Sequence, residues 1–173
     1  MTLQDLTLAG GCFWCVEAVY LRVPGVEKVV SGYMGGTTEN PTYEQICQGN
    51  TDHAEVIRIT FDPEKAAVKQ LLEIFFTVHD PTTLNRQGND VGTQYRSAIF
   101  YADDEQKHIA EEAMKSAQEK HTDPIVTQIV PKERFWPAEE YHQDYFNRNP
   151  GNGYCQFAIP PKLEKLKKLG YGE

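Results

Sequence analysis

The sequence predicts a mixed α/β (α+β) protein: a two-layer sandwich with a ferredoxin-like split βαβ core and a long loop-rich C-terminal segment. Three observations predict it. Segments typical of strands alternate with segments whose apolar residues recur at helical spacing. The chain has 173 residues, which suits one domain around one core. No repeat or linker divides the sequence, so we expect a single domain over 1–173, with 149–173 as a flexible segment.

The first half of the chain predicts a strand, a helix and two more strands. Leu6–Ala9 alternates apolar and polar residues, and two glycines then end the strand. From Cys12 onward apolar residues recur at helical spacing until Pro24-Gly25, so Cys12 opens a helix. Two strands follow, on either side of a loop rich in Gly, Thr, Asn and Pro: Val26–Tyr33 and Ala54–Phe61.

The second half adds helices and shorter strands. Asp62-Pro63-Glu64 predicts a helix start, because it combines an N-cap acceptor, a proline and an acidic first turn. The polar stretch 80–94 is a long loop for a compact domain, and such loops are usually functional. The remaining predicted elements are a strand Ser97–Tyr101, a helix Asp104–Lys120, a strand Ile125–Val130 and an aromatic segment Phe135–Tyr145.

Charge and hydropathy restrict the possible binding partners of the protein and its cellular compartment. The chain has 17 basic and 25 acidic residues, and a net charge of −8 argues against nucleic acid and anionic membranes as partners. The start of the chain lacks the basic and apolar stretches of a signal peptide, and the longest apolar run, Leu71–Val78, is too short to span a bilayer. We therefore expect a cytoplasmic protein, in which the four cysteines are reduced thiols rather than standing disulfides.

Cys12 is the leading candidate nucleophile. A thiol reacts as its thiolate, and unpaired N–H groups at a helix N-terminus stabilise that anion. Cys15 lies one turn further into the helix and should feel less of this effect. Phe13 and Trp14 place two aromatic rings beside the Cys12 thiol, which suits either an apolar part of a ligand or simple core packing.

The Cys12-Phe13-Trp14-Cys15 pattern leaves other chemistry open. A C-x-x-C pair is typical of dithiol–disulfide exchange or of half a zinc site. Cys47 and His53 could supply two further zinc ligands, although their spacing is irregular. The sequence therefore allows two alternatives, a zinc-binding module and a general dithiol oxidoreductase that uses Cys12 and Cys15.

Glu55 is the most informative acidic residue. Side chains alternate along its strand, so Glu55 lies on the same face as Ile57 and Ile59, which is the apolar face. Burial disfavours the charged carboxylate and raises the pKa toward that of a general acid. The competing interpretation is that Glu55, at the strand end, reaches water or pairs with a cation.

Three polar residues in or beside loops could bind a ligand. Asp90 and Tyr95 lie in the loop before the Ser97–Tyr101 strand, and Tyr43 follows the Asn40-Pro41-Thr42 turn. Tyrosine hydroxyls can hold a polar oxygen while their rings line an apolar pocket.

These residues occur in seven motifs: Gly11-Cys12-Phe13-Trp14-Cys15, Gly32-Tyr33-Met34-Gly35-Gly36, Asn40-Pro41-Thr42-Tyr43-Glu44, His53-Ala54-Glu55, Gly88 to Ser97, Glu140-Tyr141-His142-Gln143 and Gly153-Tyr154-Cys155. In this order, over about residues 8 to 155, the motifs resemble those of the peptide methionine sulfoxide reductase type A family. The resemblance implies reduction of the S-epimer of methionine sulfoxide, free or in proteins, with no cofactor and no metal.

The resemblance also assigns roles. Cys12 attacks the sulfoxide sulfur and Glu55 protonates the oxygen. Cys12 becomes a sulfenic acid, Cys155 attacks it, and thioredoxin reduces the resulting disulfide. The family's substrate-binding positions correspond to Phe13 and Trp14 for the methyl group, Tyr43 and Tyr95 for the oxygen, and Asp90 for positioning the substrate.

The sequence departs from the family pattern at two points, and it offers two candidates for the resolving thiol. Asp52 stands where members often have glycine, and no cysteine follows Cys155 to act as a further relay. Cys15 competes with Cys155 as the resolving thiol. We favour Cys155, because the glycine-rich lead Asn149–Gly153 would let it move, whereas Cys15 is held in a helix.

Overall fold

The computed structural model describes residues 3–171. Its elements in chain order are β1 (Gln4–Gly10), α1 (Phe13–Tyr20), β2 (Val26–Met34), α2 (Tyr43–Cys47), β3 (Ala54–Phe61), α3 (Val68–Val78), β4 (Arg86–Gln87), β5 (Asp90–Val91), β6 (Ser97–Tyr101), α4 (Asp104–Gln118), β7 (Gln128–Pro131), β8 (Trp136–Pro137), α5 (Tyr145–Arg148) and α6 (Gly153–Lys168). Short 3₁₀ turns occupy Thr93–Tyr95 and Glu140–His142.

The central sheet has the strand order β7-β6-β1-β3-β2-β8. Its four inner strands, β6, β1, β3 and β2, pair antiparallel throughout. β3 lies between β1 and β2, so the β1–α1–β2 unit is split by a third strand, and β6 completes the pattern on the other side of β1. The predicted ferredoxin-like split βαβ core is confirmed. β7 extends it parallel to β6, and β8 extends it antiparallel to β2.

The main core lies between the sheet and a layer of helices in which α1 and α3 pack against α6, and α3 also against α4. Side chains from alternate strand positions, such as Leu6, Leu8, Ile57 and Ile59, are fully buried here, as is Phe75 of α3. The predicted two-layer arrangement follows from this packing, because one apolar face of the sheet requires one covering layer. A smaller cluster on the opposite face is built from Ala9, Met34, Ala54, Val56, Ala98 and Phe100.

The third helix begins later than the sequence predicts. Asp62-Pro63-Glu64 forms a turn in which the Asp62 carboxylate accepts the Glu64 N–H at 3.0 Å. Ala67 is extended (φ −74°, ψ 151°), and α3 starts after it at Val68. Asp62 and Pro63 therefore form part of this turn and not of a helix start. Ala66 is buried in the core before the helix begins.

The C-terminal segment is more regular than the loop-rich segment that the sequence predicts. Residues 153–168 form α6, which starts where the Asn152 side chain accepts the Cys155 N–H at 3.1 Å. Ile159 and Leu166 are buried against the other helices. This packing stabilises a helix despite Pro160 and Pro161 in its interior.

The predicted loop 80–94 contains a small hairpin, in which Gln87 of β4 pairs with Asp90 of β5. Within residues 3–171 there is no helix of the length and apolar character needed to cross a membrane.

Candidate active site

Cys12 is the N-cap residue of α1, as the sequence predicts. Its carbonyl oxygen accepts the N–H of Cys15 at 3.1 Å and that of Val16 at 3.4 Å. Gly11 before it has φ +95°, and a Cβ at Gly11 would lie 2.7 Å from the Gln87 side chain. The glycine is therefore needed for both the backbone conformation and the close approach of the hairpin to the nucleophile.

Glu55 lies beneath the start of α1, at the beginning of β3 and opposite Tyr33 of β2. The Phe13 N–H donates to Glu55 Oε1 at 3.2 Å, and Oε2 has no hydrogen-bond partner among the described residues. The side chain is 1% exposed, so the alternative that it reaches water is wrong. Burial, reinforced by the charge of Asp90, raises the pKa of Glu55 to about 8. At neutral pH this carboxyl group carries a proton that it can donate.

The ionisation of Cys12 differs from what its helix position predicts. Burial, the hydrogen bond to the Cys15 thiol and the charge of Glu55 together raise the pKa of Cys12 above its ordinary value. Because the cost of removing the thiolate from water outweighs the effect of the helix terminus, Cys12 is a neutral thiol in the ligand-free site. The expected low-pKa thiolate is therefore wrong for this state. Two neutral acids, Cys12 and Glu55, lie close together.

Aromatic rings form a wall beside these two residues. Phe13 is buried and packs 6.3 Å from Tyr43 and 5.7 Å from Tyr33, measured between ring centroids. Trp14 stacks on Tyr145 at 3.8 Å, and its Nε1–H donates to Nδ1 of His142 at 3.0 Å. Phe13 belongs to the main core, whereas Trp14 remains partly exposed next to Cys12.

Tyr43 and Tyr95 come from two different parts of the chain and both lie close enough to Glu55 to be affected by its charge. Tyr43 is the first residue of α2, a helix capped by Thr42, whose side chain exchanges hydrogen bonds with Gln45 in a capping box. Tyr95 ends the 3₁₀ turn after the hairpin. Burial and the charge of Glu55 raise the pKa of both hydroxyl groups, so both stay protonated as hydrogen-bond donors.

Sequence reasoning missed Glu139, which holds this wall in place. Its carboxylate accepts the Tyr33 hydroxyl at 3.0 Å and the Tyr43 N–H at 2.9 Å. The only signal in the sequence was the acidic pair Glu139-Glu140 inside an aromatic segment. A local sequence pattern does not show which residues these side chains contact. His142 is also part of this wall: it is fully buried and packs against Trp14 and Tyr43.

A cavity of about 590 Å³ lies next to Cys12, between the hairpin and α6. It is lined by both cysteines of the C-x-x-C pair and by Asp90, Tyr154 and Lys162. Asp90 accepts a hydrogen bond from the Tyr154 hydroxyl. The Asp90 carboxylate and Cys12 therefore line the same cavity.

Cys155 lies in the first turn of α6 and is completely buried. It packs in a small cluster with Cys15, Ala18 and Ile159, against which Cys12 also lies. Three of the four cysteines thus meet at one place, and Cys47 is exposed in α2.

The structure does not assemble the zinc-ligand set considered above. Both ring nitrogens of His53 are engaged by backbone: the Gly36 N–H donates to Nδ1 at 3.0 Å, and Nε2 lies 2.7 Å from the Thr38 carbonyl oxygen. Among residues 3–171 no group of three or more His, Cys, Asp or Glu side chains has the arrangement of a metal site. His53 instead fixes the loop after β2.

Comparison with known proteins decides the family. The model of the family "Peptide methionine sulfoxide reductase" matches residues 4–172. The chain belongs to the peptide methionine sulfoxide reductase family. It is 58% identical to peptide methionine sulfoxide reductase MsrA of Acinetobacter baumannii (strain AYE), over 95% of this chain and 94% of the relative. It is 57% identical to MsrA of Trichodesmium erythraeum, over 96% and 95%.

Solved structures of this reductase family have the same fold. Reduced Mxr1 from Saccharomyces cerevisiae matches with a TM-score of 0.85 and 36% identity, over 91% of this chain and 90% of that one. Mxr1 in complex with Trx2 matches with a TM-score of 0.60 and 26% identity, over 83% and 84%. The resemblance inferred from the motifs is confirmed, and a zinc-binding module or a general dithiol oxidoreductase is not favoured.

Proposed function

We propose that this reductase converts the S-epimer of methionine sulfoxide, free or within proteins, to methionine, with Cys12 as nucleophile and thioredoxin as the final reductant, in the repair of oxidised proteins. One observation carries the assignment of roles: a buried, protonated Glu55 carboxyl group lies beside Cys12 with one oxygen unpartnered. A sulfoxide oxygen needs a proton donor as it leaves sulfur, and a neutral carboxylic acid supplies one.

The reaction begins with attack of Cys12 Sγ on the sulfoxide sulfur. Glu55 donates its proton to the sulfoxide oxygen and takes up the proton of the Cys12 thiol, so no charge has to enter the site. The attack joins Cys12 Sγ to the substrate sulfur. This bond and the substrate S–O bond then break while a bond forms between the oxygen and Cys12 Sγ, so that Cys12 becomes a sulfenic acid. The substrate sulfur is reduced to a thioether, and Cys12 is oxidised by the same two electrons.

The surrounding residues supply binding. We assign Tyr43 and Tyr95 to hold the oxygen, because their protonated hydroxyls lie near the Glu55 carboxyl group. Phe13 and Trp14 would receive the methyl group against their rings. Asp90, at the cavity rim, would position the polar part of the substrate.

Regeneration requires a second thiol. We propose that Cys155 attacks the Cys12 sulfenic acid and forms with Cys12 the disulfide that thioredoxin reduces. The solved complex of Mxr1 with Trx2 supports thioredoxin as the reductant. Cys155 is buried, so a thioredoxin thiol could reach it only if its segment moves. We therefore propose that residues 1–173 act as one catalytic domain in which 149–173 is the flexible part.

We further propose a cytoplasmic location, because the cycle needs free thiols and a dithiol reductant, which reducing compartments maintain. All four cysteines are unbonded in the structure. Cell fractionation with compartment markers tests this location; recovery of the protein only from an oxidising compartment would contradict it.

Turnover of separated methionine sulfoxide epimers with dithiothreitol tests the reaction. We expect methionine from the S-epimer and none from the R-epimer, and no methionine from Cys12→Ser, because serine forms no alkoxide at neutral pH. Cys47→Ser is the matched control, since it removes a thiol outside the three-cysteine cluster and should release methionine as the wild type does. Equal use of both epimers, or activity in Cys12→Ser, would contradict the proposal.

A further inference from the structure

One face of α6 borders the cavity beside Cys12 and is open to solvent. Side chains three and four residues apart share one side of a helix. The α6 residues that line the cavity have this spacing: Tyr154, Phe157, Ala158, Pro161 and Lys162. All but the lysine have largely apolar side chains, so the helix presents an apolar surface to the cavity that holds the nucleophile.

Phe157 is the most exposed large apolar side chain among the residues that the structure describes, with 75% of its surface accessible. Tyr154, one turn earlier on the same face, is 38% exposed. A single exposed apolar residue is common on protein surfaces, whereas exposed aromatic rings that also line a cavity are typical of a binding surface. The α6 face thus has the character of a docking surface.

The opposite wall of the cavity is the hairpin segment Gln87–Asp90, and it is fixed in place. The Gln87 side-chain amide accepts the Asp80 N–H at 2.8 Å and donates to the Asp80 carbonyl oxygen at 2.9 Å. The Asp90 carboxylate accepts a hydrogen bond from the Tyr154 hydroxyl, which joins the hairpin to α6. The groove between the two walls is therefore formed before a substrate arrives, which lowers the entropic cost of binding.

The cavity offers more room than the reacting side chain needs. Its volume of about 590 Å³ is typical of sites that hold a ligand larger than one amino acid. When methionine sulfoxide is part of a polypeptide and its sulfur reaches Cys12, the main chain beside it lies in the groove. The next Cα atom is only about 3.8 Å away, so the neighbouring side chain lies there too.

The redox state of the enzyme distinguishes between two occupants of this face. The groove belongs to the reduced enzyme, in which Cys155 is buried in the first turn of α6. The reduced enzyme is the form that binds methionine sulfoxide. Thioredoxin acts on the oxidised form, after the segment around Cys155 has moved in the cycle proposed above. The face seen here therefore suits the polypeptide substrate better than the reductant.

We propose that the α6 face around Phe157 binds the apolar side chain of a residue adjacent to methionine sulfoxide in a polypeptide. This inference rests on the proposed function and specifies which substrates the enzyme favours. An apolar neighbour gains free energy by leaving water for the surface of Phe157 and Pro161, whereas a polar neighbour does not. The enzyme thus selects among oxidised methionines by the residue beside them, and free methionine sulfoxide does not use the face.

Two blocked tripeptides test the preference. Each contains the S-epimer of methionine sulfoxide, in one between two leucines and in the other between two serines, and dithiothreitol is the reductant so that thioredoxin is absent. In the wild type, kcat/KM should be about tenfold higher for the leucine peptide, through a lower KM. The ratio of the two values is compared within one protein, so a variant with lower overall activity does not distort it.

Substitutions of Phe157 test its part in this ratio. Phe157→Ser should bring the ratio close to one, and Phe157→Gln, whose side chain suits a helix better than serine, should do the same. Phe157→Leu should keep the preference, because it retains an apolar surface. Leu21→Ser is the matched control: Leu21 is a 39% exposed leucine at the other end of α1, outside the cavity, and its loss should leave the ratio at the wild-type value.

The outcomes separate this inference from the proposed function. Equal kcat/KM for the two peptides in the wild type, or a wild-type ratio in both Phe157→Ser and Phe157→Gln, would overturn the docking surface. So would a ratio lost equally in Leu21→Ser. A raised KM for thioredoxin in Phe157→Ser with an unchanged peptide ratio would assign the face to the reductant instead. Failure of the wild type to form methionine from either peptide and from the free S-epimer would contradict the proposed function itself.

Discussion

The Phe13 N–H donates a hydrogen bond to Oε1 of Glu55, across 42 residues of sequence, at 3.2 Å. It joins the first turn of α1, which carries Cys12, to the first residues of β3. One bond thus sets the distance between the nucleophile and the acid. The Phe13 N–H has no partner within the helix, and here it binds one oxygen of the Glu55 carboxyl group. The other oxygen is left free to carry a proton.

Substitution of Glu55 by glutamine should slow release of the first methionine by about 10²- to 10⁴-fold. The amide oxygen can still accept the Phe13 N–H, so the fold should persist, but the amide cannot transfer a proton. Rapid-quench measurement of methionine in a single turnover checks this. Glu17→Gln is a matched control, because Glu17 is also a buried glutamate that accepts backbone N–H groups, from Asp144 and Tyr145. A defect of equal size in both variants would indicate a structural cause.

The single-turnover rate should be constant below pH 8 and should fall above it. The pKa of Glu55 in the folded protein is about 8, raised by burial, so its donatable proton is present below that pH and is lost as the pH rises through it. In Glu55→Gln the falling limb should be missing. The same raised pKa makes the folded state less stable relative to the unfolded state as the pH rises from about 4 to 8. A rate that increases up to pH 8 would instead show that the ionised pair of Glu55 and Cys12 reacts.

Cys12 in the ligand-free enzyme should react slowly with iodoacetamide at pH 6 to 7. Burial above all raises its pKa above the ordinary value, so little thiolate is present. Labelling rates from peptide mass spectrometry should increase with pH, and Glu55→Gln should label faster at high pH because the competing charge is absent. Fast, pH-independent labelling of Cys12 from pH 6 upward would contradict this and restore the low-pKa thiolate expected from the helix terminus.

Glu139→Ala should raise KM about tenfold with little change in kcat. The variant removes the acceptor for the Tyr33 hydroxyl and the Tyr43 N–H, and loss of one charge-assisted bond costs about 1.5 kcal/mol or more. Tyr43 would then be less well positioned for the substrate oxygen. Glu140→Ala, an exposed neighbour, is the control and should leave KM unchanged. A loss confined to kcat would mean that Glu139 acts in the chemical step rather than in positioning.

The sequence by itself determined the split βαβ core, because strand alternation and helical spacing are local patterns. It also placed Cys12 at a helix start and Glu55 on the apolar face, since both depend only on neighbours along the chain. Local sequence patterns were insufficient where packing between elements decides the conformation of a residue. Asp62 and Pro63 carry the signature of a helix start, yet they form a turn because Ala66 is buried in the core. Residues 153–168 are helical because the core accepts Ile159 and Leu166.

Only the tertiary structure decided the electrostatics of the site and which cysteines lie together. A helix terminus favours a thiolate, but the desolvation of Cys12 and the charge of Glu55 come from residues distant in sequence, and together they outweigh it. Glu139 reaches Tyr43 across 96 residues. Cys155 meets Cys15 through the packing of α6 on α1. Burial and through-space charge depend on where the whole chain folds, which no local pattern records.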